Sequence, residues 1–185
     1  MTTTLGINGF GRIGRLAVRL ARAFDGLEVV HINEVAGDVK MAAHLLEFDS
    51  VHGRWDAPIS VAGGALNVSG RRISYSANQR LQDTRWSDLG IDVVVDCTGK
   101  FKSAEALQPY LEQGVDNVVV SAPISGDVLN VVVGVNDEKY KPKQHRLVTA
   151  ASCTTNCIAP VISVLHQQFS IEHGSITTIH DITNT

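Results

Sequence analysis

The chain predicts an α/β fold built on a doubly wound parallel sheet with a small antiparallel insertion. Three observations carry that expectation. Short apolar runs alternate with helix-spaced stretches from the start of the 185 residues, the pattern of βαβ units. A glycine-rich turn joins the first strand to the first helix. Later runs are rich in valine, as suits strands covered on both faces.

Leu5–Asn8 reads as the first strand. Arg12–Phe24 follows as a helix, with Ile13, Leu16, Ala17, Leu20 and Phe24 at helical spacing. Leu27–Asn33 is a second strand, and Val39–Phe48 a second helix with Met41, Ala42, Leu45, Leu46 and Phe48 as its apolar side. Between Ala57 and Ser76 the runs Ile59–Val61, Leu66–Val68 and Arg72–Tyr75 are separated by Gly63-Gly64 and Ser69-Gly70, which is hairpin chemistry. This is the antiparallel insertion.

Ile91–Asp96 resumes the parallel pattern. Ser103 caps a helix over Ala104–Gln113, and Gly114 stops it. Asn117–Ser121, Val131–Gly134 and Arg146–Ala150 read as further strands. A long helix starts at Ser152 and runs to Phe169, with Ile158, Val161, Ile162 and Leu165 on one face and a bend expected at Pro160. Ser175–His180 reads as a last strand. The pattern places a first domain at residues 1–150 and a second unit at 151–185.

Composition narrows the function. The chain is 44% hydrophobic and 19% charged, with a net charge of −3 and a mean hydropathy of +0.06, which fits a globular domain rather than a disordered tail. No apolar run reaches the roughly 18 residues that span a bilayer. The mild acidity argues against a broad grip on nucleic acid. The start lacks the features of a secretory signal, and three cysteines exclude a disulfide scaffold, so cytoplasm is the expected compartment.

Gly9-Phe-Gly-Arg-Ile-Gly14 is a G-x-G-x-x-G turn between strand and helix, the Rossmann-type fingerprint. Gly9 permits the tight turn, Gly11 admits a pyrophosphate close to the backbone, and Gly14 lets helix and strand pack. The helix opening then offers N–H groups and a positive dipole end to an anion. Glu34 stands at the end of the second strand, where an acid accepts ribose hydroxyls. Its charge opposes a 2′-phosphate, so NAD is favoured over NADP, with Arg71, Arg72 and Arg80 as the residues that could argue otherwise.

Ala151-Ser-Cys-Thr-Thr-Asn-Cys157 lies where a strand turns into a helix. Cys153 sits near that helix N-terminus, a place that stabilises a thiolate. Ser152, Thr154, Thr155 and Asn156 surround it with groups able to orient an oxyanion or phosphate. His180, from another element, is a candidate base for the thiol. A zinc site from Cys153, Cys157 and a histidine lacks the usual spacing and a second cysteine pair, so no metal is expected. Cys97 reads as a small buried residue, and His31, His44, His52 and His166 as structural.

Together Ile7–Arg15, Asp49-Ser-Val-His-Gly-Arg54, Ser121-Ala-Pro123, Ala151–Cys157 and Thr177-Thr-Ile-His180 resemble the phosphorylating glyceraldehyde-3-phosphate dehydrogenase family along the whole chain. The resemblance implies an NAD-dependent homotetramer. It makes Cys153 the nucleophile that forms a hemithioacetal and then a thioester, and His180 the base. It places Arg12 and Ile13 at the pyrophosphate, Thr98 and Ser121 at the nicotinamide side, and Ser152, Thr154 and Thr183 at substrate or inorganic phosphate. Its members are longer, so the chain is expected to be a fragment that carries only the start of a catalytic α+β domain and is inactive alone, an NAD-binding module as it stands.

The chain departs from the family at Asn33-Glu34-Val35, where Asn-Asp-Pro is usual, at Gln79, where an arginine often stands with Arg80 now beside it, and after His180, where Asp-Ile-Thr-Asn replaces Ala-Tyr-Thr. The stretch Ala43–Trp55 with His180–Thr185 is most similar to the branch associated with arsenate resistance, in which arsenate replaces phosphate as acyl acceptor. Ordinary glycolytic use ranks second. Erythrose-4-phosphate dehydrogenase, resembled at Asn33-Glu34 and Ala43–Leu46, ranks third.

Overall fold

A computed structural model describes residues 2–180. In chain order, β1 (Thr3–Asn8), α1 (Arg12–Ala21), β2 (Leu27–Asn33) and α2 (Val39–Glu47) form the expected opening. A two-stranded antiparallel ribbon, β3 (Phe48–Asp49) with β4 (Gly53–Arg54), follows. Next come β5 (Ile59–Ala62), β6 (Ala65–Val68) and β7 (Arg71–Ser76), then β8 (Val93–Asp96) and α3 (Ala104–Glu112). The described elements end with β9 (Asn117–Val120), β10 (Leu129–Asn130), β11 (Leu147–Thr149) and α4 (Cys153–Phe169).

Nine strands form one sheet in the order β10-β11-β9-β8-β1-β2-β7-β6-β5. Pairs from β10 through β7 are parallel. The meander β5-β6-β7 is antiparallel and joins the sheet through β7, which lies parallel to β2. The insertion therefore extends the main sheet instead of standing apart. The chain leaves β1 toward β2 and later returns to β8 on the other side of β1. That reversal opens a crevice at the carboxyl ends of these strands, where open α/β sheets bind ligands.

Two apolar clusters cover the sheet. One gathers Ile7, Val18, Ile32, Leu46, Leu66 and Val68 under α1 and α2, and the other Trp86, Val94, Leu107, Tyr110, Val115 and Val118 under α3. The stripe that α1 buries is Gly14, Val18 and Ala21. Ile13, Leu20 and Phe24 are exposed, and Met41, Leu45 and Phe48 likewise lie outward of the α2 core residues Ala42 and Leu46. Small residues let the helix approach the sheet, so the larger apolar side chains at neighbouring angles do not mark the buried face.

Two expected strands differ. Val131–Gly134 is a turn after β10: the Asn136 carboxamide accepts Val132 N–H at 2.7 Å, Gly134 has φ +81°, and Asp137 accepts Gly134 N–H at 2.6 Å. Ser175–His180 has no strand structure. Its β-branched run finds no partner strand among the described residues, and an unpaired segment gains no ladder bonds. Helix α4 runs unbroken through Pro160 but buries none of its residues, with Val161, Val164 and Phe169 more than half exposed.

Candidate active site

The crevice between β1, β2 and β8 is lined by Asn8, Gly9 and Gly11 after β1, by Asn33 and Glu34 after β2, by Asn78 and Gln79 after β7, and by Cys97, Thr98 and Lys100 after β8. The glycine turn fits a bound dinucleotide. Gly9 has φ +87°, and a Cβ there would meet Thr98 N at 2.7 Å. A Cβ on Gly14 would collide with Gly9 O, which is the close packing the third glycine allows. Gly11 faces open space, with no atom within 4 Å of where a Cβ would stand.

Helix N-termini add a second test. Asp38 caps α2, Ser103 caps α3 and Ser152 caps α4 through side-chain oxygens. Helix α1 opens at Gly11 with no side-chain cap and no acid in its first turn. Its orphan N–H groups are left for an external anion. The Arg12 and Ile13 side chains do not line the crevice. Arg12 lies in a separate groove with Arg15, Leu45 and His52, and Ile13 is exposed. What these two residues can offer a pyrophosphate is backbone.

Glu34 does more than stand at the strand end. Its carboxylate accepts Phe10 N–H at 2.5 Å and Ala36 N–H at 2.8 Å, so it ties the glycine turn to the loop after β2 while lining the crevice. The arginines that could receive a 2′-phosphate are engaged elsewhere. Arg71 faces Glu28 at 4.0 Å, Arg72 donates to Ala62 O, and Arg80 makes a two-pronged pair with Asp83 at 2.8 and 3.0 Å. Gln79, not Arg80, reaches the crevice.

Thr98 is held by Asp96, whose Oδ1 accepts both its N–H at 3.0 Å and its hydroxyl at 2.8 Å. Ser121 follows β9, and its N–H bonds Asp96 O at 2.9 Å. Burial pushes the Cys97 thiol up to about 11, so it stays protonated.

Beneath the crevice lies a polar network that sequence reasoning missed. It runs from His31 through Ser76, Asn33 and Asn8 to Tyr110 and Asp96. His31, read as structural and without a partner, is clasped between Ser74 and Ser76 at 2.7 and 2.9 Å, and burial lowers its pKa to about 4. The available signal was a set of polar residues ending several apolar strands: Asn8, Asn33 and Asp96.

The thiol site forms at α4. Ser152 accepts Thr155 N–H at 3.0 Å and bonds its hydroxyl at 2.8 Å. Asn156 donates to Ala150 O at 2.7 Å. Ala151, just before, holds φ +55°, a left-handed conformation costly for a residue with a Cβ. These contacts turn the chain sharply out of β11 and leave Cys153 exposed at the first helical position. Cys153, Thr154, Cys157 and His180 line one apolar-walled cleft. His180 Nε2 lies 3.3 Å from Thr154 Oγ1; its hydrogen bond is to that hydroxyl rather than to the Cys153 thiol. Thr183 lies outside the described residues. No helix among the described residues is long and apolar enough to cross a membrane.

Comparison with known families agrees with this geometry. Residues 3–104 match the family described as glyceraldehyde 3-phosphate dehydrogenase, NAD binding domain. Residues 152–185 match the C-terminal domain of the same enzyme family. Over all of its length the chain is 51% identical to glyceraldehyde-3-phosphate dehydrogenase 3 of Nostoc sp., and 46% and 43% identical to the corresponding enzymes of Geobacillus stearothermophilus and Bacillus subtilis. It spans 55% of the length of each of these relatives. The cofactor of the matched domain is NAD, and the glycine turn, the uncapped α1 and the acid after β2 are the features such a domain needs. The chain belongs to the glyceraldehyde 3-phosphate dehydrogenase family.

Proposed function

We propose that the whole protein is an NAD-dependent, phosphorylating aldehyde dehydrogenase acting on glyceraldehyde 3-phosphate. The observation that carries this reading is the convergence of Cys153 and Thr154 with His180, 26 residues beyond Thr154, on one cleft at a helix N-terminus. Residues 1–150 form the cofactor domain and residues 151–185 begin the catalytic one.

The crevice residues bind and orient the cofactor. Backbone N–H groups of Gly11, Arg12 and Ile13 receive the pyrophosphate. Glu34 receives ribose hydroxyls, and Thr98 and Ser121 border the nicotinamide side. When bound, NAD supplies a hydride acceptor. Cys153 attacks the aldehyde carbon through its thiolate, forming the C–S bond of a hemithioacetal. The first-turn N–H groups of α4 stabilise the charged sulfur and the oxygen that gains charge. His180, holding the proton given up by the Cys153 thiol, protonates that oxygen and takes the proton back as the carbon gives up a hydride and becomes a thioester. Ser152, Thr154 and Thr183 contact the substrate phosphate or the incoming inorganic anion, whose oxygen displaces the thiolate and releases the acyl phosphate.

Two further features belong to the reading. The acceptor anion is arsenate or phosphate, as the likeness of Ala43–Trp55 to the arsenate-associated branch supports, and the assembled enzyme is a cytoplasmic homotetramer. The experiment is Cys153→Ser in a chain of the relatives' length. Oxidation is abolished while NAD still binds; turnover in that variant overturns the assignment. Growth on arsenate with and without the gene separates the arsenate use from the glycolytic one, and turnover with erythrose 4-phosphate alone replaces the substrate.

A further inference from the structure

Tyr110 is fully buried on α3, away from the crevice, yet its hydroxyl stands at the junction of the crevice floor. It accepts from Asn8 Nδ2 at 2.5 Å and donates to Asp96 Oδ2 at 2.7 Å. Backbone donors at both ends fix the direction of every bond. Asn78 N–H, which cannot reverse, donates to Asn33 Oδ1 at 2.8 Å. The Asn33 amide must therefore donate to Asn8 Oδ1, at 2.8 Å. That leaves the Asn8 amide as donor to Tyr110, and the Tyr110 proton to Asp96. At the far end, Thr98 N–H fixes Asp96 Oδ1 as an acceptor. Asn8, Asn33, Asn78 and Thr98 all line the crevice.

We propose that Tyr110 and Asp96 are positioning residues for the dinucleotide, joining the ends of β1, β2 and β8 so that Asn8 and Thr98 meet the cofactor in register. The proposal rests on reading this crevice as the NAD site.

The carboxylate form of Asp96 is the one that completes the relay. A protonated Asp96 would donate toward Tyr110, whose proton would then turn on the Asn8 amide, donor against donor. Asp96 is 1% exposed, and no cation pairs with it among the described residues. Burial raises its pKa, while Tyr110, Thr98 and Asn8 pull it down. The titratable groups facing it are Tyr110 from α3 and Cys97, the residue just after β8, both shifted upward. Beyond them the Trp86 ring stands edge-on to Tyr110 and to His31, at 5.6 Å from each.

The test is calorimetric titration with NAD from pH 5 to 8.5, on the unmodified protein, Tyr110→Phe and Asp96→Asn. In the unmodified protein affinity falls on the acid side as Asp96 takes a proton. Tyr110→Phe weakens NAD binding about tenfold at pH 7.5, because a buried amide and a carboxylate oxygen lose their partner. It also moves the acid limb to higher pH, since the carboxyl has lost a donor. Asp96→Asn removes that limb, while its carboxamide oxygen still accepts from Thr98. A weakening by one constant factor at every pH in Tyr110→Phe overturns the proposal, as does unchanged binding. Where Tyr110→Phe fails to fold, absence of the limb in the unmodified protein, or its survival in Asp96→Asn, overturns the proposal equally well. NAD binding that does not respond to these residues overturns this inference alone; no NAD binding by the unmodified protein at any pH overturns the cofactor reading and this inference with it.

Discussion

Glu34→Gln separates charge from shape at the ribose end of the crevice. In the native chain the carboxylate lines the crevice and holds Phe10 N–H at 2.5 Å and Ala36 N–H at 2.8 Å. A unit charge about 4 Å from a 2′-phosphate opposes it by about 1 kcal/mol in bulk water and about 4 kcal/mol near a protein surface. Arg71, Arg72 and Arg80 do not offset this, because they are turned to Glu28, Ala62 O and Asp83. NAD is therefore expected to bind at least about tenfold tighter than NADP, or about 1.4 kcal/mol. Glutamine keeps the size and one acceptor but removes the charge. The gap should shrink to about threefold or less, roughly 0.7 kcal/mol. Glu34→Ala should also weaken NAD itself, since the N–H of buried Phe10 loses its partner at a cost of about 1–3 kcal/mol. Parallel titrations with NAD and NADP read both effects. Equal affinities in the unmodified protein, or an unchanged gap in Glu34→Gln, would refute the argument that this charge reads the 2′ position.

Gly14→Ala drives a Cβ into Gly9 O, so backbone must move; a loss of at least about 3 kcal/mol in denaturant unfolding is expected, with NAD binding lost. His31 has its pKa lowered by burial from 6.5 to about 4, so the unfolded chain binds the extra proton between those values. Stability should fall by about 3 kcal/mol as pH drops from 6.5 to 4, and His31→Asn should flatten that limb of the urea midpoint against pH. Brief alkylation followed by mass spectrometry should label exposed Cys153 before Cys97, whose buried thiol is pushed up to about 11; faster labelling of Cys97 or Cys157 contradicts the nucleophile assignment.

What the sequence made legible was local. The glycine spacing, the Ser103 cap, the helix start at Ser152 and most of the strands and helices depend on neighbours in the chain and reappear in the structure; the strands expected at Val131–Gly134 and Ser175–His180 do not. The faces of α1 depended on the sheet below, where Gly14 and Ala21 fit more closely than Ile13 or Leu20. The run at Ser175–His180 had strand composition, but a strand is a pairing and composition carries no partner. Tyr110 is 102 residues from Asn8, and only the folded topology brings a residue of α3 under the crevice. Glu34 was legible as an acid at the strand end. Its bond to Phe10 N–H was not, because that depends on how the glycine turn curls over β2.

The central claim, that Cys153 becomes acylated with NAD held in the crevice, is tested most directly by trapping the thioester. A chain of the relatives' length is mixed with glyceraldehyde 3-phosphate and NAD without phosphate or arsenate, quenched in acid, and digested for peptide mass spectrometry. The account predicts the acyl group on the peptide carrying Cys153, formed only when NAD is present and lost on adding phosphate. Acylation on Cys97 or Cys157 instead, or the same adduct without NAD, would contradict it.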